Sequence, residues 1–193
     1  MRVEMISVAD FYSNVDEVRK FAMEQEYFEE PHHYPGKRTN PFLNDSTKEI
    51  IQNIIKPFAG NVTNWGTISG SFQYTTAVDR SWIHTDGTTM WAGVLYLTPD
   101  APLSAGTGMF RHKASGLNGW VFAHHTEEEN MNIPLYSTDY YDYTKWDLVD
   151  KIGNVYNRLI LYRGDLFHVS LDYFGKDLND GRLFQTFFFD TEK

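Results

Sequence analysis

The sequence predicts an α+β fold, with two N-terminal helices packed on a rolled antiparallel sheet of jelly-roll type. Three observations predict it. Apolar residues recur at helical spacing in two segments before residue 60: Val15, Val18, Phe21 and Ala22, then Ile50, Ile51, Ile54, Ile55 and Phe58. After Asn61 the period changes to two, as Ile68, Gly70, Phe72, Tyr74 and Thr76 alternate with small or polar neighbours. The 14 Phe, 12 Tyr and 5 Trp among 193 residues favour strands over helices in the rest of the chain. Helices followed by many strands joined through tight turns are the pattern of such an architecture.

Each element has a local justification. Met1 to Val8 reads as a first strand. Asn14-x-x-Glu17 forms a capping box that opens a helix to about Gln25, and Ser46-x-x-Glu49 opens a second that Gly60 ends. Residues 26–45 between them read as loop, broken by Tyr34-Pro35-Gly36 and Asn40-Pro41. Strands are expected at Ile68–Thr76, Ser81–His84, Met90–Leu97, Met109–His112 and Gly119–His124. Further strands are expected at Tyr156–Tyr162, Leu166–Val169 and Arg182–Asp190, with Arg163-Gly164-Asp165 as a tight turn. Residues 126–146 are acidic and aromatic and read as an insertion over the site. The whole reads as one domain, 1–193, with helical support in 1–60 and the jelly-roll core in 61–193.

Composition closes several routes. With no cysteine there are no disulfides, zinc–thiolate sites or cysteine nucleophiles. Met1 to Val8 is short and carries Arg2 and Glu4, unlike a signal peptide, and no apolar run approaches a membrane span; a cytoplasmic protein with no membrane partner is expected. Asn61-Val62-Thr63 matches a glycosylation acceptor, which is uninformative without secretion. A net charge of −9 argues against nucleic acid as a partner, and the one basic cluster, Lys37-Arg38, reads as a solvated loop.

The chemistry-bearing motif is His84-Thr85-Asp86. A His-x-Asp/Glu match is expected roughly once by chance in such a chain, and a second, His125-Thr126-Glu127, is present. Context separates them. His84 and Asp86 open a period-2 segment, where residues i and i+2 share a face and reach one ion. His125 instead leads into Glu127-Glu128-Glu129, a solvated turn or helix start. His168 alone, between Phe167 and Val169, would read as a core histidine; with His84 and Asp86 it completes a metal set. Two imidazoles and a carboxylate are the facial-triad ligands of iron(II), leaving the opposite face open. Arg182 lies beside the apolar run Leu183–Phe189, where an unpaired charge is costly, so its planar fork needs a ligand or an internal carboxylate. Arg158, Arg163 and Lys176 are its weaker rivals. Tyr74 is placed to add a hydroxyl to the same carboxylate, and Thr88 and Tyr96 to face the pocket, while His112, His124 and His125 read as surface.

On these residues the chain resembles the iron(II)/2-oxoglutarate-dependent dioxygenases of the double-stranded β-helix (cupin-like) fold, within a bacterial and phage branch of the prolyl-hydroxylase-like group. The resemblance rests on His84-Thr-Asp86, Val94-Leu-Tyr-Leu97, Gly106-Thr-Gly108, Gly164-Asp-Leu-Phe-His168 and Arg182. Tyr156–Tyr162, Arg182–Phe189, Asp10–Asp16 and Tyr34-Pro-Gly36 add local similarity. It implies Fe(II) held by His84, Asp86 and His168, with 2-oxoglutarate and O2 as co-substrates and Arg182, assisted by Tyr74, binding the distal carboxylate. It implies hydroxylation of a C–H bond on a peptidyl side chain or small molecule, because Asp86 fills the position that halogenating relatives leave for halide. Two departures stand out. The serine or threonine expected two residues after the arginine is Phe184, and the 14-residue spacing from His168 to Arg182 is long, with a loop over 172–181. The acidic insertion suits a basic peptide or amine substrate. The alternatives are a cupin-type metal enzyme, or a ligand-binding domain, that does not use 2-oxoglutarate.

Overall fold

Strand pairing brings distant segments of this chain together in two antiparallel sheets. The computed structural model describes residues 2–29, 34–119 and 138–193. Its strands are β1 (Met5–Val8), β2 (Lys37–Pro41), β3 (Val62–Trp65), β4 (Ser71–Thr75), β5 (Trp91–Tyr96), β6 (Thr107–His112), β7 (Trp146–Ile152), β8 (Leu159–Arg163), β9 (His168–Ser170) and β10 (Arg182–Thr191). Two helices, α1 (Val15–Met23) and α2 (Asp45–Ala59), accompany them. The larger sheet runs β1-β8-β5-β10-β4-β2, with β3 also paired to β10, and the smaller runs β7-β6-β9. The fold is α+β, with mostly antiparallel sheets and two helices, as the sequence predicts.

The centre of the larger sheet is covered on both faces. Leu95, Leu97, Leu159, Leu161, Leu183, Phe187 and Phe189 pack against Ala22 of α1 and Ile51, Ile55 and Ala59 of α2. Ala92, Val94, Tyr96, Ile160, Tyr162 and Phe184 point the other way, toward Met109 of β6 and Leu166. Double coverage explains why β5, β8 and β10 read as nearly unbroken apolar runs rather than alternations.

Several expectations are corrected in detail. The start of α2 is not capped by Ser46; Asn44 has extended backbone and its Oδ1 accepts from the Thr47 amide at 2.8 Å. Asn14 makes no side-chain cap, because its ψ of 44° departs from the extended backbone an N-cap uses. Strand β2 falls in a segment expected as loop, while β3 and β7 fall where no particular strand was expected, β7 starting at Trp146, the last residue of the expected insertion. Each lies at a sheet margin, where half of the ladder and much of the side-chain surface meet solvent, so polar residues suffice and the alternating signal is weak. Ser81–His84 is not a strand; only His84 bridges, to His168. Of the strand expected at Gly119–His124, Gly119 bridges Leu166, and 120–124 lie outside the described residues, as does the first part of the 126–146 insertion. Among the described residues no helix is long and apolar enough to cross a membrane.

Phe187 is fully buried between α2 and the sheet. Phe187→Ala is expected to lower the unfolding free energy by about 3–5 kcal/mol in urea titration. Asn44→Ala should lose about 1 kcal/mol and Ser46→Ala much less, which checks the relocated cap by the same measurement.

Candidate metal centre

His84 and His168 are direct antiparallel neighbours. The His84 amide donates to the His168 carbonyl at 3.0 Å, and the His168 amide donates back at 2.8 Å. Opposed residues present side chains to one face, so this bridge brings together two imidazoles that lie far apart in the chain. Asp86, two residues on, is fixed by its amide donating to the Gly164 carbonyl at 2.8 Å. A Cβ at Gly164 would run into the Thr89 carbonyl, which explains the glycine in this turn.

The three side chains converge. His168 Nε2 lies 3.2 Å from Asp86 Oδ2, and His84 Nε2 lies 3.9 Å from Asp86 Oδ1. One ligand atom from each residue lies within 4.8 Å of the others. Both Nδ1 atoms are engaged by the carbonyl two residues earlier, Trp82 O at 2.8 Å and Leu166 O at 2.9 Å. A carbonyl only accepts, so Nδ1 carries the proton in each ring and the Nε2 lone pair is left for an ion. Two nitrogens and one oxygen in this arrangement suit a first-row divalent metal such as iron(II).

The electrostatics point the same way. Burial first, and the facing His168 second, push the His84 imidazole down to about 4, with Asp86 opposing. The His84 side chain keeps 31% of its exposure, which blunts burial's share. Burial also pushes His168 down, but the Asp86 charge and hydrogen bond outweigh it and hold His168 above its ordinary value. Burial would raise Asp86, yet His168, His84 and Arg38 keep its carboxyl below the usual range. The buried Tyr162 hydroxyl is pushed up by burial and then by Asp86, and its ring centroid lies 4.7 Å from that of His168.

A cleft of about 980 Å³ opens over the triad, with Tyr162, Thr107, Phe184, Thr186 and Arg38 on its wall. A second hollow of about 450 Å³ shares Trp82 and His84 with it and continues to Tyr140 and Tyr141. Arg182 is 1% exposed. Its Nε donates to Ala105 O at 2.9 Å, and neither Nη has a hydrogen-bond partner among the described residues. Its guanidinium carbon is 4.4 Å from the Phe184 ring centroid. Phe184 reaches the cleft wall, and Arg182 lies just behind it.

Tyr74 is a correction. It pairs with Leu183 rather than Arg182, so the strand alternation turns it to the helix side, where its ring meets Tyr27 edge-on at 5.1 Å. Tyr96 lies on the Arg182 side, its hydroxyl 2.8 Å from Thr107 Oγ1, and Thr88 lines the cleft. Arg158 donates to Gly153 O, Arg163 pairs with Asp165, and Lys176 is exposed. His112 is not on the surface: it is buried, with Nε2 3.1 Å from Asp139 and Nδ1 2.9 Å from Ser115 Oγ. His124, His125 and Glu127 lie outside the described residues.

Arg38, expected in a solvated loop, is instead on the cleft wall. Its Nε and Nη2 donate to Gln73 Oε1 at 2.9 and 2.6 Å, while Gln73 Nε2 donates to Pro35 O. The only sequence signal was the Tyr34-Pro-Gly36 turn just before it. Arg38 and Arg80 lie on the described walls of the two hollows, and so does Asp86.

The sequence matches the model of a family of unknown function, DUF6445, over residues 2–189. The chain belongs to that family. No curated protein matches it. The chain is similar in fold to HygX from Streptomyces hygroscopicus, solved with nickel, 2-oxoglutarate and hygromycin B, at 10% identity and TM-score 0.55, covering 95% of this chain and 81% of that one. A prolyl hydroxylase from Trichoplax adhaerens, in complex with a hypoxia inducible factor peptide, has 11% identity and TM-score 0.56, covering 97% and 84%. A prolyl-4-hydroxylase from Pseudomonas putida has 13% identity and TM-score 0.51, covering 97% and 92%. At these identities the likeness is one of fold.

Metal uptake has an expected pH signature. Between the His84 value of about 4 and the raised His168 value, only His168 must lose a proton to bind an ion. Anaerobic Fe(II) titrations should therefore give a log affinity rising by about one per pH unit in that window and flattening above it. A slope near two would contradict the assigned protonation.

Proposed function

We propose that this chain is an Fe(II)- and 2-oxoglutarate-dependent oxygenase that hydroxylates a C–H bond of a peptidyl side chain or a small molecule. One observation carries the reading: His84, Asp86 and His168 aim their donor atoms into a common space at the base of a cleft. Support comes from Arg182 on the inner face of β10, whose buried Nη atoms have no hydrogen-bond partner among the described residues. The fold neighbours add to it, since HygX was solved with 2-oxoglutarate and the other two are prolyl hydroxylases.

Strand order supports a double-stranded β-helix. The His84 segment, β9, β6 and β7 make one array, and β8, β5, β10 and β4 make the other. In this reading residues 1–193 act as one unit.

Bound iron(II) with 2-oxoglutarate supplies the oxidising power that places an oxygen atom from O2 into a C–H bond, releasing succinate and carbon dioxide. The chain's own residues prepare the site. His84 and His168 present Nε2 because the Trp82 and Leu166 carbonyls hold their Nδ1 protons. Asp86 contributes the negative charge, kept ionised by the two histidines and Arg38. Arg182, whose guanidinium lies over the Phe184 ring, would hold the far carboxylate of the co-substrate. Tyr162 and Val94 wall the centre and limit water around it.

The test is an anaerobic titration of the Fe(II)-loaded protein with 2-oxoglutarate, read by the weak visible charge-transfer band and by thermal stability. A band and a gain in melting temperature are expected, and the absence of both would end the proposal. Arg182→Ala should abolish 2-oxoglutarate turnover, measured as succinate, while Fe(II) affinity stays within about threefold, because the arginine does not touch the triad.

A further inference from the structure

Each imidazole of the triad is held from behind by a peptide group, and both peptide groups are held in turn by carbonyls from elsewhere in the chain. The Trp82 carbonyl accepts from His84 Nδ1, and the amide of the same peptide, Ile83 N–H, donates to Tyr140 O at 3.0 Å. The Leu166 carbonyl accepts from His168 Nδ1, and the amide of that peptide, Phe167 N–H, donates to Asn118 O at 2.9 Å. A trans peptide group is planar, with its C=O and N–H pointing in opposite directions, so gripping one end aims the other. Tyr140 and Asn118 therefore set the angle of the two carbonyls that orient the two rings.

Neither carbonyl comes from a strand: Tyr140 lies in a short 3-10 turn, Thr138–Tyr141, and Asn118 follows the turn after β6. His112 ties both segments down. It is the last residue of β6 and 5% exposed. Its Nε2 lies 3.1 Å from Oδ2 of Asp139, the neighbour of Tyr140. Its Nδ1 lies 2.9 Å from Ser115 Oγ and accepts from the Ser115 amide at 3.3 Å. Its own amide donates to Leu117 O at 2.9 Å, directly before Asn118. A carboxylate only accepts, so Nε2 carries the proton and Nδ1 the lone pair. That is the opposite tautomer from His84 and His168, and it suits a ring that links two segments rather than one that meets an ion.

The packing keeps these pieces together. Ile83 and Phe167, whose amides are gripped, share one buried cluster with Phe110 and Trp146. The Trp146 ring centroid lies 4.8 Å from that of His112, and its Nε1 donates to Asp139 O at 2.8 Å.

We propose that His112 is a positioning residue for the metal centre, anchoring through its two ring nitrogens the two segments whose carbonyls orient His84 and His168. The assignment rests on the metal-binding reading above. It explains a buried histidine at this place, since a neutral imidazole donates on one side and accepts on the other.

The experiment loads the whole protein with Co(II), which takes the same nitrogen and oxygen donors as iron(II). Affinity is read by visible absorption, and water exchange of the two ligand Nδ1–H protons by their ion-shifted NMR signals. His112→Ala should weaken Co(II) on the order of tenfold, as loss of groups that orient metal ligands does, and speed exchange of both protons. Asp139→Ala should speed the His84 proton alone, and Ser115→Ala the His168 proton alone. His112→Gln, whose amide also donates and accepts, should recover most of the affinity. Phe187→Ala, destabilised from the helix side, should keep wild-type affinity and exchange. Wild-type affinity and exchange in His112→Ala overturn the assignment. So do equal losses in Phe187→Ala, which mark general destabilisation. Should His112→Ala not fold, unchanged exchange in both the Asp139 and the Ser115 variants overturns it. Wild type that takes up no Co(II) overturns the metal-binding reading itself, a result separate from any effect of the variants.

Discussion

The antiparallel bridge between His84 and His168 is the constraint on which the site depends. Two backbone hydrogen bonds fix the relative positions of segments more than eighty residues apart in the chain. Once they form, the side chains must emerge on one side, and the carbonyls at Trp82 and Leu166 set the ring tautomers. The donor set is therefore a product of sheet register. A slip of one residue would turn one imidazole to the opposite face and dissolve the centre. The Gly164 turn guards the register from the other side, by packing closely against the Asp86–Thr89 turn.

The larger sheet carries the second requirement. Its inner face must be apolar enough to exclude water and still hold a guanidinium. Alternation along β10 meets both needs: Leu183, Phe187 and Phe189 fasten the strand to the helices, while Arg182, Phe184 and Thr186 are left for the cleft side. The helix side contributes rigidity through Tyr12, whose hydroxyl donates to Gln185 at 3.0 Å and lies 3.3 Å from Thr47 of α2. A buried polar contact of that kind fixes strand against helix where apolar packing alone would tolerate sliding.

Much of this was legible in the sequence because the signals were periodic. The isoleucine stripe of α2 and the apolar run of β5 each follow from one repeat geometry, whereas the strand expected through His84 and Asp86 is absent, and the two are placed by the single His84–His168 bridge and by the Asp86 amide on Gly164 O. The marginal strands β2, β3 and β7 were not legible, since an edge exposed to solvent imposes little pattern. Tyr74 was misplaced by one step of the same alternation. The neighbouring Thr75 opposes Arg182, and nothing in the sequence fixes which of two adjacent residues meets a distant strand. Arg38 was missed because its role depends on Gln73, a partner 35 residues away. His112 was misread for the same reason: Asp139, which draws it inward, lies 27 residues further along.

Charge explains why the pieces belong together in the proposed reading. A divalent ion beside Asp86 leaves one excess positive charge in a buried place, where an uncompensated charge is strongly disfavoured. A dianionic co-substrate reverses the sign, and Arg182 restores neutrality. Removing any one of these leaves a net charge behind an apolar wall, so each favours the binding of the next. Arg38 stands outside that balance, on the cleft wall with its guanidinium fixed by Gln73, and is near enough to lower the Asp86 carboxyl. Its charge therefore bears on Asp86, in a chain whose overall charge is −9. Bulk acidity is thus no guide to the field at the site, because screening removes distant surface charges over about 8–10 Å while a fixed neighbour in a cleft is screened far less.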